Sequence, residues 1–362
     1  MKKSLFILLL LISINGVADP LITLSGSGLS GFSGLKQHEN RSPKNSEFQF
    51  NSAANLNVNL EYSENLSALI EFGLGSNSAT RNAFAGFNQG VQLQSFVISY
   101  KYDEWNTVFQ LGQLNVPFGQ FSDNQTNNSQ INSSFLYNDL GYAFLGGNLQ
   151  EFGANGVLAS YTDDCNSVDG YLFNGTRGDS NQEGGFGIAL RGATNVVINT
   201  ENFQNTTRVG LSYMGMNDRS DDADSGINAN ISALMGDMQT ELFGITVGGY
   251  LATFILNDMN DKTKDKITGY MFFAEKQWQN LTFASRFSRM NPEGTNNKVS
   301  DAYTVPGIAM LPRNNLDVER YQFSLIVDID ENLKVHNEFF TDSYGDKKYN
   351  NIAAMSYASI QF

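Results

Sequence analysis

Three carboxylates stand out in residues 114–155, the longest stretch of the chain without a strand pattern. The stretch is rich in Asn, Gln and Ser and contains no Lys or Arg. Its charged residues are Asp123, Asp139 and Glu151. Carboxylates that line a narrow aqueous passage favour cations through their local potential. The stretch therefore predicts a cation-favouring constriction if it folds into such a passage, and an ordinary surface lid if it does not.

Four arginines belong to segments with a two-residue repeat of apolar side chains: Arg191, Arg208, Arg286 and Arg320. Each has the opposite parity to the apolar residues of its segment. Successive side chains of a strand point to opposite faces. All four guanidinium groups are therefore predicted to point away from the apolar face, into a wetted wall.

The sequence gives less support to hydrolysis or to metal binding. Hydrolysis usually needs a histidine base, and the two histidines, His38 and His336, have no Ser or Asp partner that the sequence identifies. The acidic residues 217–226 could collect a divalent ion, since hard cations take carboxylate oxygens. That stretch lacks the spacing of an EF-hand loop, and a solvated surface loop is the alternative. No metal site and no cofactor are predicted.

The elements that must position these side chains are long strands. In residues 47–62 the even positions include Phe48, Phe50, Leu56, Val58 and Leu60, and the odd positions are mainly Asn, Gln and Glu. A helix would scatter these asparagines around its circumference, so the repeat predicts a strand with two different surroundings. Soluble strands average five or six residues. Strands of about ten or more residues, apolar on one side and wet on the other, are typical of a transmembrane barrel.

Sixteen such segments follow one another along the chain. They are predicted at 21–35, 47–62, 66–76, 91–102, 105–113, 156–161, 168–173, 186–192, 208–216, 227–235, 242–256, 267–278, 281–289, 320–329, 333–340 and 351–362. Residues 193–205 could contain a further strand. An even count near 16 predicts an all-β fold, a closed antiparallel transmembrane barrel.

The connections alternate between short turns and long polar loops. Short turns are predicted at 63–65, 279–280 and 330–332, and long loops at 217–226, 257–266 and 290–319. This asymmetry is typical of outer-membrane barrels. Aromatic residues cluster beside the short turns and predict a girdle at headgroup depth: Tyr62, Tyr100, Tyr102, Trp105, Tyr161 and Trp278.

The first eighteen residues have the pattern of a secretory signal peptide. Lys2 and Lys3 precede an apolar core, and small residues lead to a predicted cleavage after Ala18. A retained helical anchor is the alternative. Residues 19–362 would then form one barrel domain. The chain carries a net charge of −14 and a pI near 4.5, which disfavours nucleic-acid binding because phosphate contacts need Lys and Arg.

Together these features resemble the general porin family of Gram-negative outer membranes. The phrase from Gly112 to Gly119, Gly-Gln-x-x-x-Pro-Phe-Gly, also resembles phosphate-selective porins, and Glu151-Phe152-Gly153 is similar to the end of a general-porin constriction loop. The alternating last strand ending at Phe362 resembles an outer-membrane assembly signal. The resemblance implies that the third long loop, 114–155, folds into the lumen and that an arginine row faces its carboxylates.

What the resemblance implies about function is an outer-membrane channel for passive diffusion of small hydrophilic solutes and ions. The carboxylates suggest a weak cation preference, and the low number of Lys and Arg on the wall argues against anion specificity. Expected partners are outer-membrane lipid, lipopolysaccharide and two further copies of the chain in a homotrimer. An adhesin or structural barrel, and an outer-membrane hydrolase, are the alternatives.

Overall fold

The computed structural model describes ten ranges of the chain, and these form one closed antiparallel barrel. The ranges are 21–37, 46–76, 90–119, 153–174, 186–200, 203–219, 228–258, 263–294, 318–344 and 351–362. Each strand pairs with its neighbours in the sequence, and the last strand pairs with the first. Closure leaves no unpaired sheet edge, which is the condition for strands to cross a bilayer. The predicted signal peptide lies outside the described residues.

The sixteen strands are long. They are β1 (Leu21–Gln37), β2 (Ser46–Glu61), β3 (Leu66–Ser76), β4 (Gly90–Tyr102), β5 (Thr107–Asn115), β6 (Gly153–Thr162), β7 (Asn166–Asn174), β8 (Phe186–Thr200), β9 (Phe203–Arg219), β10 (Asn228–Leu242), β11 (Ile245–Asp258), β12 (Thr263–Trp278), β13 (Leu281–Gly294), β14 (Val318–Asp328), β15 (Leu333–Tyr344) and β16 (Asn351–Gln361). The remaining described element is a short 3-10 turn, Asp103–Trp105. Among the described residues no helix is long and apolar enough to cross a membrane.

The predicted strand count and order are confirmed, and many strand boundaries differ, most clearly from β8 to β11. Residues 193–205 do not form a further strand, because they extend β8 and β9 into one long hairpin that pairs from Asn195↔Arg208 to Thr200↔Phe203. Strand β10 continues to Leu242 because Asp237, Gln239 and Glu241 extend its inward face. The predicted strand at 242–256 therefore begins three residues later, at Ile245.

Strand β9 shows how the two faces differ. The outward-facing residues Val209, Leu211 and Tyr213 are exposed, with Leu211 at 60%. The inward-facing Ser212 and Met214 are 1% and 0% exposed. An apolar outward face is required in a bilayer, since a cation on the lipid face costs about 2–4 kcal/mol at mid-depth. The predicted parity is confirmed on this strand, and all four arginines lie on strands with the same arrangement.

The inward face is not uniformly polar. On β9 to β12 it carries a continuous patch of apolar side chains that are nearly inaccessible to solvent: Met214, Met216, Ile231, Ala233, Met235, Phe254, Ile267 and Met271. We name this set the apolar inner wall. The expectation that every inward side chain meets water is wrong for this sector, because the strand pattern indicates only which face a residue takes and not what covers that face.

Three of the short turns share one hydrogen-bond arrangement. Ser63, Asp163 and Asp330 each accept the backbone N–H groups of the residues two and three positions later, at 2.6–3.3 Å. Those N–H groups, from Asn166 first and then Cys165, lower the pKa of Asp163 to about 2. A side-chain oxygen thus replaces the missing backbone partner in each turn, which allows long strands to reverse within a few residues.

The pairing of β1 with β16 that closes the barrel ends in a contact between Gly26 and Phe362. The N–H of Gly26 donates to the carbonyl of Phe362 at 2.8 Å, and the N–H of Phe362 donates to the carbonyl of Gly26 at 3.0 Å. The ring of Phe362 lies directly over Gly26, so a Cβ on Gly26 would be 2.6 Å from Cζ of that ring. Glycine is required at this position because the aromatic ring and the backbone carbonyl oxygen of Asn55, 2.5 Å from such a Cβ, occupy the space of a side chain.

Replacing Gly26 by Val is therefore expected to displace Phe362 and to destabilise the folded barrel by about 1–3 kcal/mol, the usual cost of overpacking. The measurement is the urea midpoint of unfolding in detergent, detected by the difference in electrophoretic mobility between the folded and unfolded forms. The matched control is Gly236→Val, because a Cβ at Gly236 meets nothing within 4 Å. Equal stability of the two variants would contradict the closure role of Gly26.

Candidate functional site: the inner wall and the segment after β5

Strand β5 separates from its neighbour β4 at Gly112, before the strand itself ends at Asn115. Pairing of β5 with β4 stops at Val97↔Gly112, while pairing with β6 continues to Asn115↔Gly153. Gly112 has a φ of 146°, and a Cβ there would collide with the carbonyl oxygen of Phe96. Only glycine adopts this conformation without strain. The chain can therefore separate from β4 here and turn towards the interior.

Residues 116–119 dock on the inward face of β9 and β11. Phe118 is 1% exposed and packs edge-to-face on Phe254 of β11, with the ring centroids 5.5 Å apart. The N–H of Gly119 donates to Oγ of Ser212 on β9 at 2.9 Å. The start of the predicted loop 114–155 thus lies against the apolar inner wall. Residues 120–152, with Asp123, Asp139 and Glu151, lie outside the described residues.

Ser212 belongs to a buried ion pair beneath this docking point. Arg191 on β8 contacts Asp237 on β10 through two hydrogen bonds, Nη1–Oδ2 at 2.6 Å and Nη2–Oδ1 at 3.0 Å. Nη1 of Arg191 also donates to Oγ of Ser212 at 2.9 Å. The side chains of Arg191 and Asp237 are 4% and 0% exposed. Arg191 points inward as predicted, but its charge is matched by a neighbouring carboxylate.

A glycine makes this ion pair geometrically feasible. Arg191 and Asp237 lie on strands that flank β9, and their bridge passes over Gly210. A Cβ on Gly210 would be 2.7 Å from Oδ1 of Asp237 and 2.8 Å from Nη2 of Arg191. Any larger residue at this position would push the two charges apart. The bridge and the docking of Gly119 therefore form one connected hydrogen-bond network.

The other three arginines also face inward but lie in different surroundings. Arg208 donates from Nη2 to Oγ of Ser167 at 3.0 Å. The guanidinium of Arg286 lies 5.9 Å from the ring centroid of Phe273, and that of Arg320 lies 4.5 Å from the centroid of Phe340. Arg191 and Arg208 are on β8 and β9, whereas Arg286 and Arg320 are on β13 and β14. The described structure thus does not bring the four together in one row.

A polar cluster on β14 to β16 had no counterpart in the sequence prediction. Glu338 accepts hydrogen bonds from the hydroxyl of Tyr357 at 3.0 Å and from Nε2 of Gln322 at 3.3 Å. The ring of His336 stacks on Tyr357 with centroids 4.6 Å apart, and its Nε2 lies 2.9 Å from Oγ of Ser359. The two-residue spacing of His336 and Glu338 could have indicated a shared face. Their partners depend on strand register, which the sequence does not show.

This cluster bears on the hydrolase alternative. The structure identifies Ser359 as a hydroxyl partner for His336, which the sequence did not. A Ser–His–acid arrangement also needs a carboxylate on the second ring nitrogen, and Nδ1 of His336 has no hydrogen-bond partner. In the part of the chain that the structure describes, no group of three or more His, Cys, Asp or Glu could hold a metal ion. His38 and most of the acidic stretch 217–226 lie outside the described residues.

Truncating Asp237 to Ala is expected to destabilise the barrel by about 3–5 kcal/mol, because it leaves the Arg191 charge buried without a partner. The measurement is the urea midpoint in detergent. The double variant Arg191→Met/Asp237→Leu removes both charges and is expected to recover most of that loss. If Asp237→Ala unfolds at the wild-type midpoint, the ion pair is not a stabilising element of this wall.

Comparison with known proteins finds a similarity of fold and none of sequence. No protein-family model matches the chain, and no curated protein matches its sequence. The anion-selective porin of Comamonas acidovorans is similar at a TM-score of 0.65 and 10% identity, over 95% of this chain and 100% of that one.

Two further solved structures agree with this fold. OmpF of Salmonella typhi, in complex with daunomycin, is similar at a TM-score of 0.62 and 12% identity, over 94% of this chain and 97% of that one. The trimer form of OmpT, an outer-membrane protein of Vibrio cholerae, gives 0.60 and 10%, over 95% and 100%. At such low identity the likeness shows the fold, and the chain has the sixteen-stranded porin barrel.

Proposed function

We propose that the protein is an outer-membrane channel through which small hydrophilic solutes and ions diffuse passively. Barrels of sixteen strands leave an aqueous passage instead of a packed interior. The observation that carries the proposal is the docking of Phe118 on β11 and of Gly119 on β9, because it holds the start of the segment 114–155 on the inner face of the barrel. Outer-membrane placement follows the porin fold and the predicted removal of residues 1–18.

The apolar inner wall supports a narrowing role for residues 114–155. Its methionines, Ile231 and Phe254 are buried, and Phe118 packs against Phe254. The proposed loop carries more side chains suited to that surface: Phe121, Phe135, Leu136, Tyr137, Tyr142 and Phe144. We expect these residues to cover the wall, since each large apolar side chain removed from water contributes about 1.5–3 kcal/mol. The polar residues of the loop then border the remaining passage.

The proposed selectivity is a weak preference for cations. Arg191 is neutralised by Asp237, so it adds little positive potential to the lumen. Arg286 and Arg320 lie over aromatic rings on the opposite side, and Arg208 lies on β9. The carboxylates Asp123, Asp139 and Glu151 would therefore be opposed by three arginines, one on β9 and two on the neighbouring strands β13 and β14. We also propose a homotrimer, because OmpT of Vibrio cholerae has a trimer form.

The channel itself is tested by loosening the docking point in planar-bilayer recordings. Wild-type protein is expected to give discrete conductance steps. Ser212→Ala combined with Phe254→Ala removes the partners of Gly119 and Phe118, and larger or more variable steps are expected because the loop is no longer held at the wall. Ser288→Ala, which removes a buried hydroxyl from β13, is the matched control. A folded barrel that gives no steps would favour the adhesin or hydrolase alternatives.

The cation preference is tested by reversal potentials under a salt gradient. Neutralising Asp139 and Glu151 together, as Asn and Gln, is expected to move the reversal potential towards anion selectivity because the loop loses two negative charges. Asp163→Asn is a suitable charge control, since Asp163 lies in a short turn at the rim. An unchanged reversal potential would show that these carboxylates do not line the narrowest point.

A further inference from the structure

A groove of about 720 Å³ lies on the outer face of β11 to β16. Three aromatic side chains, Phe283, Phe323 and Phe339, form its walls, and the small residues Ala274, Ser285 and Ala354 form its floor. All three phenylalanines are outward-facing and 41–57% exposed. The groove is therefore a recess in the surface that meets lipid under the proposed membrane location, on which this inference rests.

The groove runs obliquely across the strands, starting at the end of the barrel that carries the short turns (the rim). One register row joins Lys276, Phe283, Leu325 and Asn337 across four strands. Lys276 lies two residues before the end of β12 at Trp278, whereas Asn337 lies four residues beyond the start of β15 at Leu333. Each residue adds about 3.3 Å along a strand. One end of the groove thus lies at the rim, and the other lies deeper in the hydrocarbon region.

The rim end of the groove carries one exposed ammonium, and an exposed indole lies beside it on the strand. The two glutamates that also line the groove, Glu275 and Glu338, have inward-facing side chains. Lys276 lines the groove and is exposed, and its Nζ donates to the carbonyl of Phe243 at 3.3 Å. Trp278 is 61% exposed on the same face of the strand. Indole rings favour the level of lipid headgroups. An ammonium at this depth, above an apolar recess, matches a ligand with an anionic head and an apolar tail.

The deep end of the groove carries two polar side chains that pair with each other. The outward-facing Ser356 donates to Oδ1 of Asn337 at 2.9 Å. This hydrogen bond lowers the cost of covering the pair with an acyl chain, because it satisfies the hydroxyl donor and the amide carbonyl. The aromatic walls offer the acyl chain more contact area than a flat sheet face would.

We propose that this groove binds an anionic phospholipid of the surrounding membrane, with the phosphate at Lys276 and one acyl chain along the recess. One basic residue near a membrane surface is worth about 1 kcal/mol towards anionic lipid. At 25 °C that corresponds to a preference of about fivefold over a zwitterionic phospholipid. A second copy of the chain is a less suitable occupant, because it would have to present a matching ridge beside an exposed ammonium.

The opposite side of the barrel offers an internal control. The chain has two tryptophans, and Trp105 is also exposed, at 63%, beside a short turn. The nearest basic residue there, Lys101, is paired with Asp103 at 2.6 Å, which lowers the pKa of Asp103. Trp105 thus reports on ordinary membrane contact without an available cation, while Trp278 reports on the groove.

The experiment is tryptophan quenching by phospholipids with brominated acyl chains. The full-length barrel is reconstituted in zwitterionic phosphatidylcholine bilayers as two single-tryptophan variants, Trp105→Phe and Trp278→Phe. Brominated phosphatidylglycerol or brominated phosphatidylcholine is then added at low mole fraction. Trp278 is expected to be quenched about fivefold more effectively by the anionic lipid, and Trp105 equally by both.

Two further variants separate the head and tail contacts. Lys276→Gln is expected to remove the anionic preference at Trp278 and to leave quenching by the zwitterionic lipid unchanged. Ala274→Phe fills the floor of the groove and is expected to reduce quenching by both lipids, whereas Ala159→Phe, on the outer face of β6, is the matched control. Each variant is first checked for the folded electrophoretic mobility.

The outcomes distinguish this proposal from the proposed function. Equal quenching of Trp278 by both lipids, or a preference that survives Lys276→Gln, would overturn the phospholipid site while leaving membrane insertion intact. Protection of Trp278 from both lipids in a cross-linkable oligomer would assign the groove to a second copy and also overturn it. If neither tryptophan is quenched by any brominated lipid, the membrane location itself fails.

Discussion

Closed backbone pairing is the constraint on which the rest of this structure depends. A bilayer provides no water to satisfy an exposed N–H or C=O group, so every strand needs a partner on both sides. The chain meets this requirement with sixteen antiparallel strands and a seam at which Phe362 pairs with Gly26. The ring of Phe362 covers that glycine, so the seam combines two backbone hydrogen bonds with an apolar contact on the outer face.

Because the outer face must be apolar, the polar and charged side chains of the strands are concentrated on the inner face. That face divides into an apolar sector on β9 to β12 and a polar sector with His336, Glu338 and Tyr357. The first sector receives Phe118 and Gly119, and the buried Arg191–Asp237 pair anchors Ser212 beneath them. A buried ion pair is weak support for stability by itself. Here the ion pair also orients the Ser212 hydroxyl, which accepts a hydrogen bond from the N–H of Gly119. The packing of this wall is thereby coupled to the width of the proposed passage.

The sequence predicted the strands well because the two-residue repeat is a local property. In residues 47–62 parity alone separates the asparagines from Leu56, Val58 and Leu60, and the same argument placed Arg191 inward. Parity does not show register. Arg191 meets Asp237 46 positions away, and His336 meets Ser359 23 positions away. These partners depend on the accumulated stagger of several strands, so the neutralised arginine and the Ser–His contact could not be predicted. The proposed constriction charges remain a prediction.

The central claim is that water fills the space inside the closed ring of strands. Swelling of liposomes that contain the purified protein, challenged with uncharged sugars of increasing size, tests this most directly. The account predicts that small sugars enter and cause swelling, and that the rate falls steeply as the sugar approaches the width of the passage. Liposomes that contain fully folded barrels but admit no sugar of any size would contradict it.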